Sequence, residues 1–241
     1  MQSNESDQAV VAVLISSGSE WRETRLIYNH IEAVSSPLGE WFELVQNING
    51  RLQRLLFFHG GWGKILAAAS TQYVIDRWSP SLLINIGTCG GIEGEIEMHQ
   101  IVAAERTVVY DIYEKMGDSH AAVMRFVTEL DVNYLDSDLP HPIIRGVLVS
   151  GDRDLHVEDI ASLRSLYGAI AADWESGAIA YVASRNKISC LILRGVSDIV
   201  TSEIPQSSNS HIYYDGVKQI MPQLLGALPQ WIELWQNRKG Q

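Results

Sequence analysis

Residues 55–86 read LLFFHGGWGKILAAASTQYVIDRWSPSLLINI, and the reading of this stretch decides the fold. Leu55–His59 is a short apolar run that breaks at Gly60-Gly61-Trp62-Gly63. From Lys64 to Trp78 apolar residues recur at helical spacing, and Ser79-Pro80 ends the pattern, since proline has no N–H for a continuing helix. Leu82–Ile86 is a second apolar run. Strand, helix and strand in that order make the βαβ unit of a parallel sheet, where burial on both faces replaces alternation with continuous apolar runs.

The same grammar extends both ways. Downstream, Val147–Val149, a helix around residues 158–166 and a strand around residues 169–171 form a second unit. A helix over residues 174–186 then leads into a strand over Cys190–Val196. Upstream, Val10–Ile15 is a run rich in β-branched residues that ends in Ser16-Ser17-Gly18-Ser19, a cluster able to cap a helix over Glu20–Ile31. Between Trp41 and Phe58 two alternating stretches flank Asn47-Ile48-Asn49-Gly50; Asn-Gly is a hairpin signal, so antiparallel strands are expected beside the first. Tyr213–Trp235 reads as a closing helix with Trp231, Leu234 and Trp235 on one packing face. The expectation is a single α/β domain over residues 9–241, with a central mixed, largely parallel, twisted β-sheet flanked by helices. Residues 1–8 are polar and acidic, and are expected to be a disordered N-terminus and not a signal peptide.

With 241 residues, of which 46% are hydrophobic and 20% charged, the chain can bury a full core and is no disordered polymer. Its formal net charge of −11 leaves no basic stripe to displace counterions from phosphates, so no nucleic-acid partner is expected. A neutral small molecule meets no such barrier. No apolar run approaches the roughly 20 residues of a membrane span, which excludes a membrane partner of that kind. Cys89 and Cys190 lie in apolar or Gly-rich runs without metal-ligand spacing, and read as reduced core thiols of a cytoplasmic protein.

Ligands of open α/β sheets bind beyond the carboxyl ends of the strands. The expected strand ends offer Ser16, Ser17 and Glu20; Gly60–Gly63; Gly87-Thr88-Cys89-Gly90-Gly91; Ser150-Gly151-Asp152; Asp173-Trp174-Glu175; and Ser197-Asp198. Glu20, Glu175 and Asp198 therefore converge on one rim if the sheet is parallel there. Neither glycine cluster is a phosphate loop: Gly60–Lys64 lacks the Walker spacing, and Gly87–Gly91 is not GxGxxG but reads as a tight turn against a ligand or helix. In Arg194-Gly195-Val196-Ser197-Asp198, a period of two sets Arg194 and Asp198 on one face and Ser197 on the other. That arrangement allows either an ion pair at a strand end or a general acid. An acid requires desolvation to outweigh the pull of Arg194, which must then point elsewhere. Glu175 at a helix start suits the macrodipole, and equally could accept hydrogen bonds from two vicinal hydroxyls. Glu20 is either an ordinary first-turn residue or a base for water. His59, His99, His141 and His156 are scattered without ligand spacing.

Taken together, the segments resemble the nucleoside phosphorylase and nucleosidase superfamily, and most of all its 5′-methylthioadenosine/S-adenosylhomocysteine nucleosidases. The resemblance rests on the turn ending at Glu20, Gly61-Trp62-Gly63-Lys64, Ile84-Asn85-Ile86-Gly87-Thr88-Cys89-Gly90-Gly91, Val149-Ser150-Gly151-Asp152, Asp173-Trp174-Glu175-Ser176-Gly177-Ala178-Ile179-Ala180, Arg194–Asp198, and Ser210-His211 followed by Asp215. It implies hydrolysis of the N-glycosidic bond of a purine nucleoside without a metal or redox cofactor. Asp198 is then the acid for the leaving base, positioned by Ser197, and Glu20 the base for the attacking water. Glu175 holds the ribose hydroxyls with Thr88 and Arg194 in support, and Trp174, Leu155 and Gly90 line the substrate. A cytoplasmic homodimer or higher homo-oligomer is implied as well.

Phosphorylases of the superfamily bring arginines to phosphate. Here the first turn is Ser16-Ser17-Gly18-Ser19, Arg22 comes one helical step late, and Lys64 lacks the bidentate fork, so water is the expected nucleophile. A phosphorylase and a non-catalytic nucleoside-binding protein on the same fold are the alternatives. Arg153-Asp154-Leu155-His156 has no neutral aromatic ring where these nucleosidases often stack adenine, Trp174 replaces a usual Met, and His99-Gln100 a usual Gly-Asp. These departures leave the particular nucleoside open.

Overall fold

The computed structural model describes residues 9–136, 138–201 and 206–238, and of residues 206–209 only the backbone. The expectation for residues 1–8 lies outside these. The elements run β1 (Val10–Ile15), α1 (Gly18–Ile27), β2 (Val34–Ser36), β3 (Gly39–Ile48), β4 (Arg51–His59), α2 (Lys64–Trp78), β5 (Leu82–Ile92), β6 (Ile101–Val109), α3 (Ser119–Met124), β7 (Val127–Glu129), β8 (Ile144–Ser150), α4 (Val157–Tyr167), β9 (Ala169–Asp173), α5 (Ser176–Arg185), β10 (Ser189–Val200) and α6 (Gln206–Asn237).

β1 lies between β4 and β5, parallel to both, so the β4–α2–β5 unit crosses over it. β3 and β4 form the expected hairpin, turning at Asn49 (φ 49°) and Gly50 (φ 79°), the two left-handed residues that suit a two-residue turn between twisted strands. β5 also pairs with β10 in parallel and with β9 antiparallel, while β6 joins β10 to β8 and β8 joins β9. Strands β5, β10, β6, β8 and β9 therefore close a ring, and β1, β4, β3 and β2 extend from it. The sheet is mixed and flanked by helices, as expected, but only part of it is open.

Side-chain alternation along β1 separates two cores. Val11, Val13 and Ile15 pack with α6 residues such as Leu228 and Trp231, while Val10, Ala12 and Leu14 pack with Ala67 and Val74 of α2 and Ile179 of α5. Trp231 and Trp235 are buried there, as the closing-helix reading requires.

Several element boundaries differ from expectation, and two of them bear on the site. α1 stops at Ile27, not Ile31: Tyr28 leaves helical geometry (ψ 37°), and Arg25 donates to the freed carbonyls of Tyr28 and Ile31 at 3.2 and 2.5 Å. Gly87–Gly91 is no tight turn but the second half of β5, paired across to Arg194–Ile199 of β10. Gly87 is required for room. A Cβ there would lie 2.1 Å from Arg194 Nη1 and 2.6 Å from Glu20 Oε1, so the glycine lets two charged side chains approach the strand.

Candidate active site

The centre of the site is Arg194, fully buried on β10. Its guanidinium faces three carboxylates: Asp173 Oδ2 at 3.0 Å, Glu20 Oε1 at 3.6 Å and Glu175 Oε2 at 3.7 Å. It donates to Asn85 Oδ1 (2.8 Å), Ser176 Oγ (3.0 Å) and the Thr88 carbonyl (3.4 Å). A buried cation costs several kcal/mol of desolvation unless its donors are all met, and this one is met on every side.

Glu20 is placed by two sets of contacts. In the first turn of α1 it closes a capping box with Ser17, whose N–H donates to Glu20 Oε2 at 3.1 Å. Its other oxygen, Oε1, accepts from the Thr88 N–H at 2.6 Å and the Thr88 hydroxyl at 2.9 Å. The helical and the functional readings of Glu20 are thus compatible, one for each oxygen. Thr88, expected beside Glu175 at the ribose, bonds Glu20.

Glu175 is the N-cap residue of α5 rather than part of its first turn, and it makes no capping bond. Asp173 caps instead, accepting from the Ser176 N–H and hydroxyl and from the Ser150 hydroxyl. Glu175 Oε1 is free to accept the Gly63 N–H at 3.0 Å. Burial pushes the Glu175 carboxyl up to about 8; Arg194 and the Gly63 amide oppose this, while Asp173 and Glu20 add to it. Beside it Trp174 stacks on Trp62, with ring centroids 4.2 Å apart, and Trp62 is 61% exposed. Trp174 therefore adjoins the carboxylate as half of an aromatic pair at the surface.

Asp198 is not paired with Arg194. The register of β10 against β5 shifts between Val196 and Asp198, a bulge that breaks the period of two. Asp198 comes to lie opposite Gly90, within reach of the Ser197 hydroxyl at 2.6 Å, and Ser197 also reaches the Cys89 carbonyl at 3.2 Å. Burial raises the Asp198 carboxyl above the usual range; the Ser197 bond opposes this and the charge of Asp154 adds to it. Arg194 points elsewhere, the condition a protonated Asp198 requires.

β9 runs antiparallel to β5, so the parallel rim imagined from the strand ends does not exist at Glu175. Convergence holds because β5 continues past Gly87: Thr88 holds Glu20, Cys89 holds Ser197, Gly90 faces Asp198, and Gly90 also pairs with Ala172 beside Asp173. Gly90 therefore sits at the site. Leu155 packs against the cluster of Val108, Val149 and Leu163. Asn85, Asp173, Ser176 and Tyr213 were not picked out as site residues. The Tyr213 hydroxyl lies 2.7 Å from Ser19 Oγ and 3.1 Å from Ser17 Oγ. Asn85 carried a signal, since a lone amide inside Ile84-Asn85-Ile86 needs a buried partner.

Lys64, which follows Gly63, is already engaged. Lys64 Nζ contacts Asp111 and lies 3.7 Å from Asp152 Oδ2, and the Lys64 backbone N–H donates to Asp152 Oδ1 at 2.8 Å. Arg22 is exposed on α1. Among the described residues no group of three or more His, Cys, Asp or Glu side chains is placed to hold a metal ion, and no helix is long and apolar enough to cross a membrane.

Comparison with known proteins places the chain in a family and its fold among solved structures. The family model described as the phosphorylase superfamily matches residues 11–220. A 5′-methylthioadenosine/S-adenosylhomocysteine nucleosidase of Tolumonas auensis is 25% identical over 171 residues, covering 66% of this chain and 74% of that protein. Among solved structures, the nucleosidase of that name from Helicobacter pylori with butyl-thio-DADMe-Immucillin-A superposes with TM-score 0.77 at 14% identity, covering 93% of this chain and 99% of the other. Futalosine hydrolase of Helicobacter pylori superposes with TM-score 0.76 at 15% identity, covering 92% and 98%.

Proposed function

This chain belongs to the phosphorylase superfamily, and from that premise we propose that it hydrolyses the N-glycosidic bond of a purine nucleoside. The observation that carries the reading is the pair of unlike carboxyl environments along Thr88-Cys89-Gly90: one anchored to Arg194, one without a cation. Asp198 is the acid. One Ser197 proton faces two acceptors, the Cys89 carbonyl and Asp198. With Asp198 protonated both bonds form, because its O–H donates to Ser197 Oγ while Ser197 donates to Cys89.

In the reaction Asp198 gives its proton to a ring nitrogen of the base as the bond from C1′ breaks and its electron pair leaves with the base. Water attacks the oxocarbenium-like sugar and loses a proton to Glu20. Glu175 accepts hydrogen bonds from the ribose hydroxyls. Water is favoured over phosphate because Arg194 already faces Glu20, Asp173 and Glu175, and Lys64 already faces Asp111 and Asp152. Neither of these two cations is left for an anionic nucleophile.

5′-Methylthioadenosine or S-adenosylhomocysteine is the proposed substrate, as in the curated relatives. The Trp62–Trp174 pair suits an apolar group near the ribose. The chain is read as a cytoplasmic homo-oligomer: exposed Trp62, Ile65 and Leu66 form an apolar face for a second copy, which sedimentation would detect. The decisive assay is release of free base with and without inorganic phosphate. Equal release yielding the free sugar supports hydrolysis. A strict phosphate requirement identifies a phosphorylase, and binding without turnover across a nucleoside panel identifies a binding protein.

A further inference from the structure

α6 touches both proton-transfer sides of the site through residues one turn apart, Tyr213 and Gly216. It packs against β10, α1 and β5. Gly216 meets Ser197 so closely that a Cβ would lie 2.8 Å from the Ser197 Cα and carbonyl oxygen and 2.9 Å from its Cβ. Those atoms are mostly backbone, so the contact cannot be relieved by turning a side chain. Ser197 in turn holds Asp198 at 2.6 Å. Tyr213, three residues earlier and hence on the same side of the helix, sends its hydroxyl to Ser19 and Ser17, in the turn that carries Glu20. Ser17 and Thr88 are the residues that hold the two oxygens of Glu20.

We infer that Tyr213 and Gly216 are positioning residues for the reaction: Gly216 sets Asp198 through Ser197, and Tyr213 sets Glu20 through Ser17. The inference rests on the roles proposed above for Asp198 and Glu20. Neither residue touches the reacting bond. Packing alone would explain an aromatic ring at position 213, but not a hydroxyl bonded to two others in the turn that carries Glu20. Packing would also be served by alanine at 216 if Ser197 were free to shift.

The test compares a purine nucleoside, whose base needs a proton to leave, with p-nitrophenyl β-D-ribofuranoside, whose leaving group does not. Gly216→Ala should lower kcat about tenfold or more for the nucleoside and little for the nitrophenyl riboside, with KM nearly unchanged. Ser197→Ala cuts the same link without adding bulk and should show the same selectivity, which keeps the test open if Gly216→Ala folds poorly. Tyr213→Phe should lower kcat for both probes alike, because both need the attacking water, and should change the ratio of methanol to water captured by the sugar. Equal losses on both probes for Gly216→Ala and Ser197→Ala would overturn the first half. Unchanged kcat and unchanged methanol capture in Tyr213→Phe would overturn the second. Asp198→Asn and Glu20→Gln, run alongside, separate the layers. If Asp198→Asn slows both probes equally, the acid assignment itself fails. If it is selective and Gly216→Ala is not, only the positioning inference fails. Glu20→Gln with normal turnover and unchanged methanol capture would likewise remove the base assignment.

Discussion

The acid groups on either side of Cys89 are held in opposite ways. At Thr88, Glu20 joins Asp173 and Glu175 around Arg194, a buried cation with Asn85 and Ser176 completing its donors. At Gly90, Asp198 bonds the Ser197 hydroxyl, and its carboxyl is raised by burial and by the charge of another acid, Asp154. The first region holds its geometry by charge and the second by steric placement. Reaction chemistry that needs a proton donor and a proton acceptor within one small site is served by this division, since a shared cation would favour the ionised form of both groups.

Arg194→Met is the strongest way to break the contrast. Removing the cation leaves buried carboxylates unpaired, and a loss of about 3–5 kcal/mol in denaturant unfolding is expected, together with loss of activity. Near-normal stability would mean that the carboxylates are neutralised by other means. Asp198→Asn comes next and should separate the two properties: a kcat loss of roughly 10²–10⁴-fold for purine nucleosides, with folding intact. Because the folded Asp198 titrates above its unfolded value, the stability tied to its protonated form is present at low pH and fades as pH rises through the folded value. Asn does not titrate, so the variant should gain on the wild type in unfolding experiments as pH is raised. A kcat near normal would restore a structural role for Asp198.

How far the sequence reveals such a site depends on the kind of force involved. β1 and α2 match their expected bounds because apolar runs and a proline stop are local signals. The hairpin was legible in Asn49-Gly50 for the same reason. The identities of Glu20, Glu175, Asp198 and Arg194 followed from their places near strand ends and from the family likeness. Their partners did not. A bulge at Val196–Asp198 and the extension of β5 through Gly91 depend on pairing with distant strands, which no local period records. The lone amide of Asn85 signals a buried partner, but that the partner is Arg194, and that Asp173 caps α5, become visible only when the fold brings these donors and acceptors together.

Glu175 gives a more moderate test. Burial holds its carboxyl at about 8, although Arg194 is close. In the free protein, the stability carried by the protonated form is complete below the ordinary carboxylate range and is lost as pH rises through about 8. Ribose hydroxyls are better met by the ionised form. Nucleoside affinity, measured by calorimetry in Asp198→Asn to block turnover, should therefore strengthen as pH rises through that value, and Glu175→Gln should flatten the dependence. A flat profile in Asp198→Asn itself would place the ribose elsewhere.

Asp154→Asn should have the smallest effect and sharpens the comparison most. Asp154 is exposed, and its negative charge raises the Asp198 carboxyl from outside, second in strength to burial among the raising causes. Removing that charge lowers the pH at which Asp198 loses its proton, so the alkaline limb of kcat should move to lower pH. The plateau rate should stay the same, since Asp154 carries no proton in the reaction. An interaction between a solvent-exposed charge and a neighbouring group is screened by ions, so the displacement should shrink as salt is raised toward about 1 M, where the screening length is about 3 Å. Burial of Asp198 is not screened in this way, and most of its raised position should survive in the variant. A displacement that persists at high salt would assign Asp154 a hydrogen-bonding or loop-placing role instead. A displacement to higher pH would mean that Asp198 is not the group whose proton sets that limb.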